Sequence, residues 1–434
     1  MSKNLRNALI AVPAILLLCA AIAFLPPVRT RLELWSAEVR YAINPPEEVV
    51  FVPQEQQAQI DLYVSATLAA LRPTGTPTPA PSATITPEGP TATPTDTPTP
   101  TLTPTPLPAA AQIVGVVYQS QHGLWNYCGP ANLAMAVSFW GVATDRLDTG
   151  TWLRGGDPKQ REDDKNVMPY EMAAYVQSQT GLGMVIRMGG NLDLLKTFIA
   201  AGYPIMIEKE DILANVGWLG HYLLLTGYDD AAGKFATMDT YHGAGTTYTY
   251  DAVYEEWRAF NFTFLVVYPP EREAEVFALL GPYGDEAWAT RHALDQALVE
   301  STTLDGLEEF YAWYNAGTSY VAQFEYGLAS IAYDTAFAVY AELPASQRPW
   351  RMLWYQTGPY FAYFYSGQYH DVLNLADITL NAMTKPILEE SFYWRGLAKE
   401  ALGDLNGAIA DLQTAVGLNP NFGPGWAELQ RIQQ

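Results

Sequence analysis

The stretch from Pro73 to Pro108 constrains this chain more than any other feature. Its 36 residues hold 12 Pro and 13 Thr, with only Ile85, Leu102 and Leu107 as large apolar side chains. Proline fixes φ and removes a backbone donor, so this composition builds neither a sheet nor a core. The sequence predicts a disordered, polyproline-like linker over 73–110, with a reach of at most about 110 Å at ~3.1 Å per residue. It divides the chain. Residues 28–72 before it form a membrane-proximal segment with one amphipathic piece, 57–71, and no residues that suggest chemistry. Catalysis and recognition are therefore expected on its C-terminal side.

Residues 1–27 read as a transmembrane anchor or signal segment. Lys3 and Arg6 precede an uncharged, apolar run over 8–25, which Pro26 and Pro27 close. That length is the lower edge of a spanning helix and exceeds a usual signal core, whereas Ala21-Ile22-Ala23 offers a small-x-small cleavage site. Both an uncleaved anchor and cleavage stay open. Either outcome predicts catalytic and repeat domains outside the cytoplasm, in a single-pass cell-membrane protein or a secreted one, held away from the surface by the Thr/Pro stalk.

The charge balance narrows the partners. Lys and Arg total 24 against 46 Asp and Glu, a formal net charge of −22, so a nucleic-acid partner is not expected. No cofactor-binding or metal-ligating pattern is present. Of the two cysteines, Cys19 lies in the apolar run, which leaves Cys128 as the sole thiol of the remaining chain and excludes a disulfide framework.

After Ala111 the composition becomes globular. Residues 112–118 read as a strand and 130–140 as a helix, with Ala131, Met135, Ala136 and Phe139 on its apolar side. Pro130 suits a first helical turn, where its missing donor costs nothing, and this places Cys128 at or just before a helix N-terminus. The positive end of a helix stabilises a thiolate. A buried structural cysteine is the alternative. Further along, residues 220–230 read as a strand and turn, and 234–240 as the returning strand. In such a hairpin His221, at the start of one strand, faces Asp239 at the end of the other, which supplies an imidazole with a carboxylate to orient it. Among the other histidines, His122, His242, His292 and His370 are weaker candidates for a base.

Gln119-Ser-Gln121, Asn126-Tyr-Cys128-Gly-Pro-Ala, Gly220-His221-Tyr-Leu-Leu-Leu-Thr-Gly-Tyr-Asp and Met238-Asp239-Thr resemble papain-like cysteine peptidases related to the bacteriocin-processing, double-glycine leader peptidase family. The resemblance extends over residues 111 to about 268. Asp164-Lys165-Asn166 and Gly217-Trp218 look like further blocks of its stand-alone members. It implies an α+β domain over 111–270 with Cys128 as nucleophile, His221 as general base and acid, Asp239 as its orienter, and Gln121 as oxyanion donor, with Gln119 as the alternative. Two departures stand out. Seven positions separate Gln121 from Cys128, slightly more than is usual, and the chain carries neither a phosphate-binding Gly-x-x-x-x-Gly-Lys loop nor a multi-span membrane region. Leader processing during export is therefore not implied.

From 281 to 434 the sequence is helical, rich in Ala and aromatic residues. Gly317, Ala329, Tyr333 and Ala336 fall at offsets that Gly396, Ala408, Leu412 and Ala415 repeat, with a degenerate unit around Gly358 between them. The pattern resembles tetratricopeptide repeats, and it predicts stacked helix pairs that present a groove to a protein partner. From Glu271 onward 8 basic residues face 21 acidic ones, so 8 − 21 gives −13. A basic peptide would suit that groove, and a plainly solvated acidic face is the other reading. The aromatic residues Trp350, Trp354, Tyr355, Tyr360 and Phe361 read as core.

The expected whole is an α+β papain-like cysteine peptidase domain and an all-α tetratricopeptide-like repeat domain, behind an N-terminal membrane segment and a disordered Thr/Pro linker. Its substrate would be a peptide or protein. A catalytically idle surface-tethered binding module and a cell-wall amidase or transpeptidase using the same thiol are the rival readings.

Overall fold

The run Tyr222-Leu223-Leu224-Leu225 is apolar at four successive positions, which a strand accommodates only where both of its faces are covered. The structure, a computed structural model, describes residues 39, 50, 51, 53, 106–155, 165–213, 216–383 and 385–434. The expected membrane segment, nearly all of the membrane-proximal segment and most of the Thr/Pro linker lie outside these. Among the described residues no helix is long and apolar enough to cross a membrane.

Strands β1 (Ala110–Gln112), β2 (Gly183–Arg187), β3 (Ile205–Leu213), β4 (Gly217–Asp229), β5 (Lys234–Asp239), β6 (Gly243–Thr249) and β7 (Phe264–Tyr268) form one sheet. Its order is β2-β7-β3-β4-β5-β6, with β1 also on β4, and every pairing is antiparallel. Helices α1 (Cys128–Phe139), α2 (Arg146–Leu153), α3 (Pro169–Gln179), α4 (Leu192–Ala200) and α5 (Tyr250–Arg258) interleave with the strands. The strand period explains the apolar run. Tyr222 and Leu224 pack with Leu133 and Val137 of α1, whereas Leu223 and Leu225 pack with Leu195 and Phe198 of α4. β4 is thus the buried spine of an α+β layer structure.

The strand expected over 112–118 is much shorter. Pairing stops at Gln112, because Gly115 takes a φ of +93° and Val114 and Val117 face solvent. Ile113 is the one residue of that stretch that is fully buried; Val116 and Tyr118 pack only partly against the core.

The C-terminal part is helical: α6 (Glu273–Leu280), α7 (Glu286–Thr303), α8 (Gly306–Ala322), α9 (Tyr326–Glu342), α10 (Met352–Tyr355), α11 (Gly358–Tyr365), α12 (Tyr369–Asn381), α13 (Glu389–Ala401), α14 (Leu405–Leu418) and α15 (Gly423–Ile432). Its repeated small residues sit where helices meet. A Cβ on Gly317 of α8 would lie 2.7 Å from the Tyr333 ring of α9, and one on Gly396 of α13 would lie 3.2 Å from the Ala408 carbonyl oxygen of α14. Trp354, Tyr355 and Tyr360 are core, as expected, while Trp350 and Phe361 are only partly buried.

The described sheet, helices and Phe51 belong to one compact unit. Trp218 and Phe260 from the sheet side share one apolar cluster with Tyr311, Trp354 and Tyr355 from the helices. Arg351 donates through Nη1 to the carbonyls of Val216 and Trp218, at 2.9 and 2.8 Å. Phe51 belongs to the same cluster, with its ring centroid 5.0 Å from Phe337 and 5.7 Å from Tyr363.

Phe51→Ala should lower the stability of the full chain by about 3–5 kcal/mol, the usual cost of emptying a buried Phe site. Urea unfolding checks this, and an unchanged midpoint would mean that Phe51 is not part of the packed helical core.

Candidate active site

Cys128 is the first residue of α1, and its placement is fixed by what precedes and follows it. Asn126 takes a left-handed φ of +51°, a conformation uncommon outside glycine, which turns the chain sharply into the helix. Arg154 braces that turn by donating to the Trp125 carbonyl at 2.9 Å, with its guanidinium 5.0 Å from the Tyr127 ring centre. On the helix side, Asn132 Nδ2 donates to the carbonyls of Cys128 at 3.0 Å and Tyr222 at 2.7 Å. The helix start is tied directly to β4, one residue from His221. Gly129 permits the approach, since a Cβ there would meet the Met172 methyl at 3.0 Å.

His221 lies within β4 rather than at its start, because the strand begins at Gly217. Asp239 ends β5, as expected. The Leu224–Met238 pairing sets Asp239 diagonally across from His221, within reach of a long side chain. His221 Nε2 is 3.1 Å from Asp239 Oδ1, and both side chains are buried, at 5% and 0% exposed. The carboxylate is well supplied with donors. Tyr248 donates to Oδ2 at 2.6 Å, and the backbone N–H groups of Tyr241 and His242 donate to Oδ1 at 2.8 and 2.9 Å. Gly220 has a steric reason to be glycine, as a Cβ there would lie 2.6 Å from both the Phe260 and Tyr355 rings.

A narrow cavity of about 20 Å³ collects the predicted residues: Gln121, Cys128 and His221 line it together with Trp125, Leu219 and Tyr241. Space on that scale holds about one water molecule. The two glutamines separate cleanly. Gln121 lines the cavity with its amide oxygen accepting from Thr240 Oγ1 at 2.6 Å, and its backbone N–H donates to the Thr240 carbonyl at 2.9 Å. Gln119 instead accepts from the Arg146 backbone N–H at 2.6 Å. Of the other histidines with ring contacts, His122 meets Tyr241 and His242 pairs with Asp211, both at the edge of the same cavity, whereas His292 stacks on Trp288 far from it in sequence.

Electrostatics favour an ionised imidazole. Burial lowers the His221 pKa, but the Asp239 charge, the Asp239 hydrogen bond and a hydrogen bond with Cys128 outweigh it and push the value up to about 10. With Nε2 engaged by Asp239, Nδ1 is the nitrogen that remains for the thiol. Burial likewise opposes the Asp239 charge, yet His221, Tyr248 and the backbone donors hold its pKa well below the usual carboxylate range.

One residue escaped the sequence reading. Glu208 on β3 is 2% exposed, sits within electrostatic reach of Cys128, and has no hydrogen-bond partner for Oε1 among the described residues. Burial first, then the nearby Cys128, push its pKa well above the carboxylate range, against a hydrogen bond from Tyr222. In sequence it is one polar position in Ile205–Leu213, with nothing to separate it from Lys209 or Glu210. The signal was the apolar company of Ile205-Met-Ile207, which marks this end of the strand as buried on both faces.

The structure thus brings together a thiol at the start of a helix, an imidazole on an antiparallel sheet and a carboxylate behind the imidazole. At family level, residues 113–264 match the model of the Peptidase_C39 like family. A solved structure described as a C39-like peptidase from Bacillus anthracis is 15% identical, covers 36% of this chain and 96% of its own, and gives a TM-score of 0.31. A structure of the first tetratricopeptide-repeat region of Spaghetti (RPAP3) bound to an HSP90 peptide is 20% identical, covers 30% of this chain and 94% of its own, with a TM-score of 0.25. No curated protein matches.

Glu208 keeps its proton in the fold, whereas an unfolded chain releases it near the ordinary value of 4.5. Stability from this position is therefore lost as pH rises past that value, the reverse of an ion-paired carboxylate. Glu208→Gln should raise the melting temperature at pH 8 and change it little at pH 4. Equal melting of variant and wild type at pH 8 would show that Glu208 is not held neutral.

Proposed function

We propose that this protein is a cysteine peptidase that hydrolyses peptide bonds through Cys128, His221 and Asp239, with Gln121 completing an oxyanion hole. The observation that carries the reading is the meeting of Cys128, His221 and Gln121 at one cavity, with Asp239 bonded to the far side of the imidazole. The Peptidase_C39 like match over 113–264 supports the same chemistry.

In this mechanism Cys128 and His221 act as a thiolate–imidazolium pair, stabilised by the α1 N-terminus and by Asp239. Cys128 Sγ attacks the scissile carbonyl carbon, and the electron pair of the C=O moves to oxygen. The Cys128 backbone N–H and Gln121 Nε2 receive that oxyanion. Thr240 occupies the Gln121 amide oxygen, which leaves the donor end of the amide for the substrate. His221 protonates the leaving amine, the C–N bond breaks and an acyl-enzyme forms. Water then attacks with His221 accepting its proton, and the thiolate leaves as the acid is released. Asp239 keeps the ring oriented throughout and stays ionised.

The proposal extends to the rest of the chain. The apolar run over 8–25 with its preceding Lys3 and Arg6 supports an extracytoplasmic placement at a membrane, and the glycine-centred contacts of α8 with α9 and α13 with α14 support a tetratricopeptide-like region that binds protein. The cavity at Cys128 is too small to enclose a side chain, so the substrate lies across its mouth rather than inside it.

Hydrolysis of a peptide library should vanish in Cys128→Ala while the fold persists; residual turnover by that variant would sink the assignment. Gln121→Ala should lower kcat/KM by about 10²- to 10³-fold, the usual effect of losing one oxyanion donor. The pH dependence follows from the imidazolium. Its charge is lost only as pH climbs toward about 10, so kcat/KM should hold through neutral pH and fall on an alkaline limb near that value. Asp239→Asn removes the main stabilising charge and should move the alkaline limb of kcat/KM to lower pH, with a loss on the order of 10²- to 10⁴-fold at pH 7. An unmoved limb would remove Asp239 from the mechanism.

A further inference from the structure

Away from Cys128, the helical region contains a second and larger cavity of about 270 Å³ that the peptidase reading leaves without a role. Its walls are aromatic: Phe361 and Tyr365 from α11, Tyr393 and Trp394 from α13, Phe422 ahead of α15, and Tyr170 from α3. The rings brace one another, with Phe361 4.4 Å from Trp394 and Tyr393 5.4 Å from Phe422. The one charged side chain that lines it is Glu390, which is 5% exposed and accepts from the Tyr170 hydroxyl at 2.7 Å.

Behind Glu390 the charges do not balance. The carboxylate oxygens of Glu171, Glu389 and Glu390 approach within 4.8 Å of one another. Lys165 bonds Glu171 and Glu389, and Asn419 donates to the same two carboxylates. Three buried carboxylates thus share one ammonium. Glu389, fully buried, keeps Oε2 without a partner among the described residues. The basic residues of α13 do not help, since Arg395 pairs with Asp377 and Asp411, and Lys399 with Asp411.

Aromatic faces attract cations through their quadrupole, most strongly where water is excluded, and a buried carboxylate supplies the matching charge. We infer that this cavity binds the side chain of a lysine in a basic peptide, its methylene stem against the aromatic walls and its ammonium at Glu390. Tyr365 at 56% exposed forms an open rim over which the peptide backbone runs, and the net charge of −13 from Glu271 onward draws a basic segment toward it. The site does not depend on the thiol chemistry.

Binding has a proton signature. Burial, then Glu389 and Glu171, push the Glu390 pKa upward against Lys165 and the Tyr170 hydrogen bond; burial raises Glu171 as well, so the cluster titrates jointly. The cluster therefore holds a proton that ordinary carboxyls would have lost, and an ammonium arriving at Glu390 drives that proton off. Lysine itself, with an ordinary pKa of about 10.4, stays charged. Affinity therefore rises as pH climbs from 6 through 8.

The test uses the full chain carrying Cys128→Ala, which prevents turnover, and the terminally blocked peptide Gly-Gly-Lys-Gly-Gly, whose only cation is the lysine ammonium. Calorimetry should show binding at pH 7 with proton release, read from the dependence of the heat on buffer ionisation, and at least tenfold weaker binding of the same peptide with norleucine in place of lysine. Adding Glu390→Gln should weaken the lysine peptide tenfold or more and reduce proton release, while Tyr365→Ala should weaken it about threefold. A circular dichroism melt confirms that each variant is folded. No binding of the lysine peptide at millimolar concentration, equal binding of the norleucine peptide, or unchanged lysine affinity in folded Glu390→Gln would each overturn the inference.

Discussion

The start of β4 is clamped by the helical region, and the geometry at His221 depends on that clamp. Arg351, fully buried, donates to the carbonyls of Val216 and Trp218, while the Tyr355 and Phe260 rings close over Gly220. Trp218 Nε1 adds bonds to Glu210 at 2.9 Å and to the Tyr311 hydroxyl at 2.8 Å. These contacts join β3, β4 and the helices immediately beside the imidazole. A strand end that would otherwise fray is made rigid, and the helices are part of the site's framework rather than an appendage to it.

The second constraint is electrostatic. A buried imidazole without a partner loses its proton, and a buried carboxylate without donors gains one. Here each corrects the other. Tyr248 and two backbone N–H groups complete the solvation of Asp239, so the carboxylate keeps its charge in a place water does not reach. Removing one partner of such a pair leaves an uncompensated charge, which is why His221 and Asp239 behave as a unit. Glu208 shows the contrast: it is buried nearby with an unpartnered oxygen, and it takes its proton.

Much of this was legible in the sequence because the signals are local. Pro130 after Cys128 marked the helix start, and the apolar run after His221 marked a strand covered on both faces. The separation of Asp239 from His221 fitted a hairpin. Gln121 and Gln119, two residues apart, were resolved only by tertiary bonds to Thr240 and Arg146. The strand expected over 112–118 failed because apolar composition in a short run does not reveal which residues meet a partner; Gly115 and the solvent-facing Val114 and Val117 end it. What stayed hidden was long-range. Glu208 looked like any strand polar residue, Arg351 reaches 135 positions back to Val216, and the aromatic walls around Glu390 come from Tyr170 as well as from residues 357–424. Tyr203 packs as core against Phe198, and the partly buried Trp152 lies edge-on to Tyr175.

Phe51 lies far ahead in sequence of the core it completes. Its ring sits against Phe337 and Tyr363, so a fragment that began at β1 would leave a vacancy beside those two rings. A truncation meant to keep the sheet and helices intact would have to retain that phenylalanine or fill its place with another apolar group.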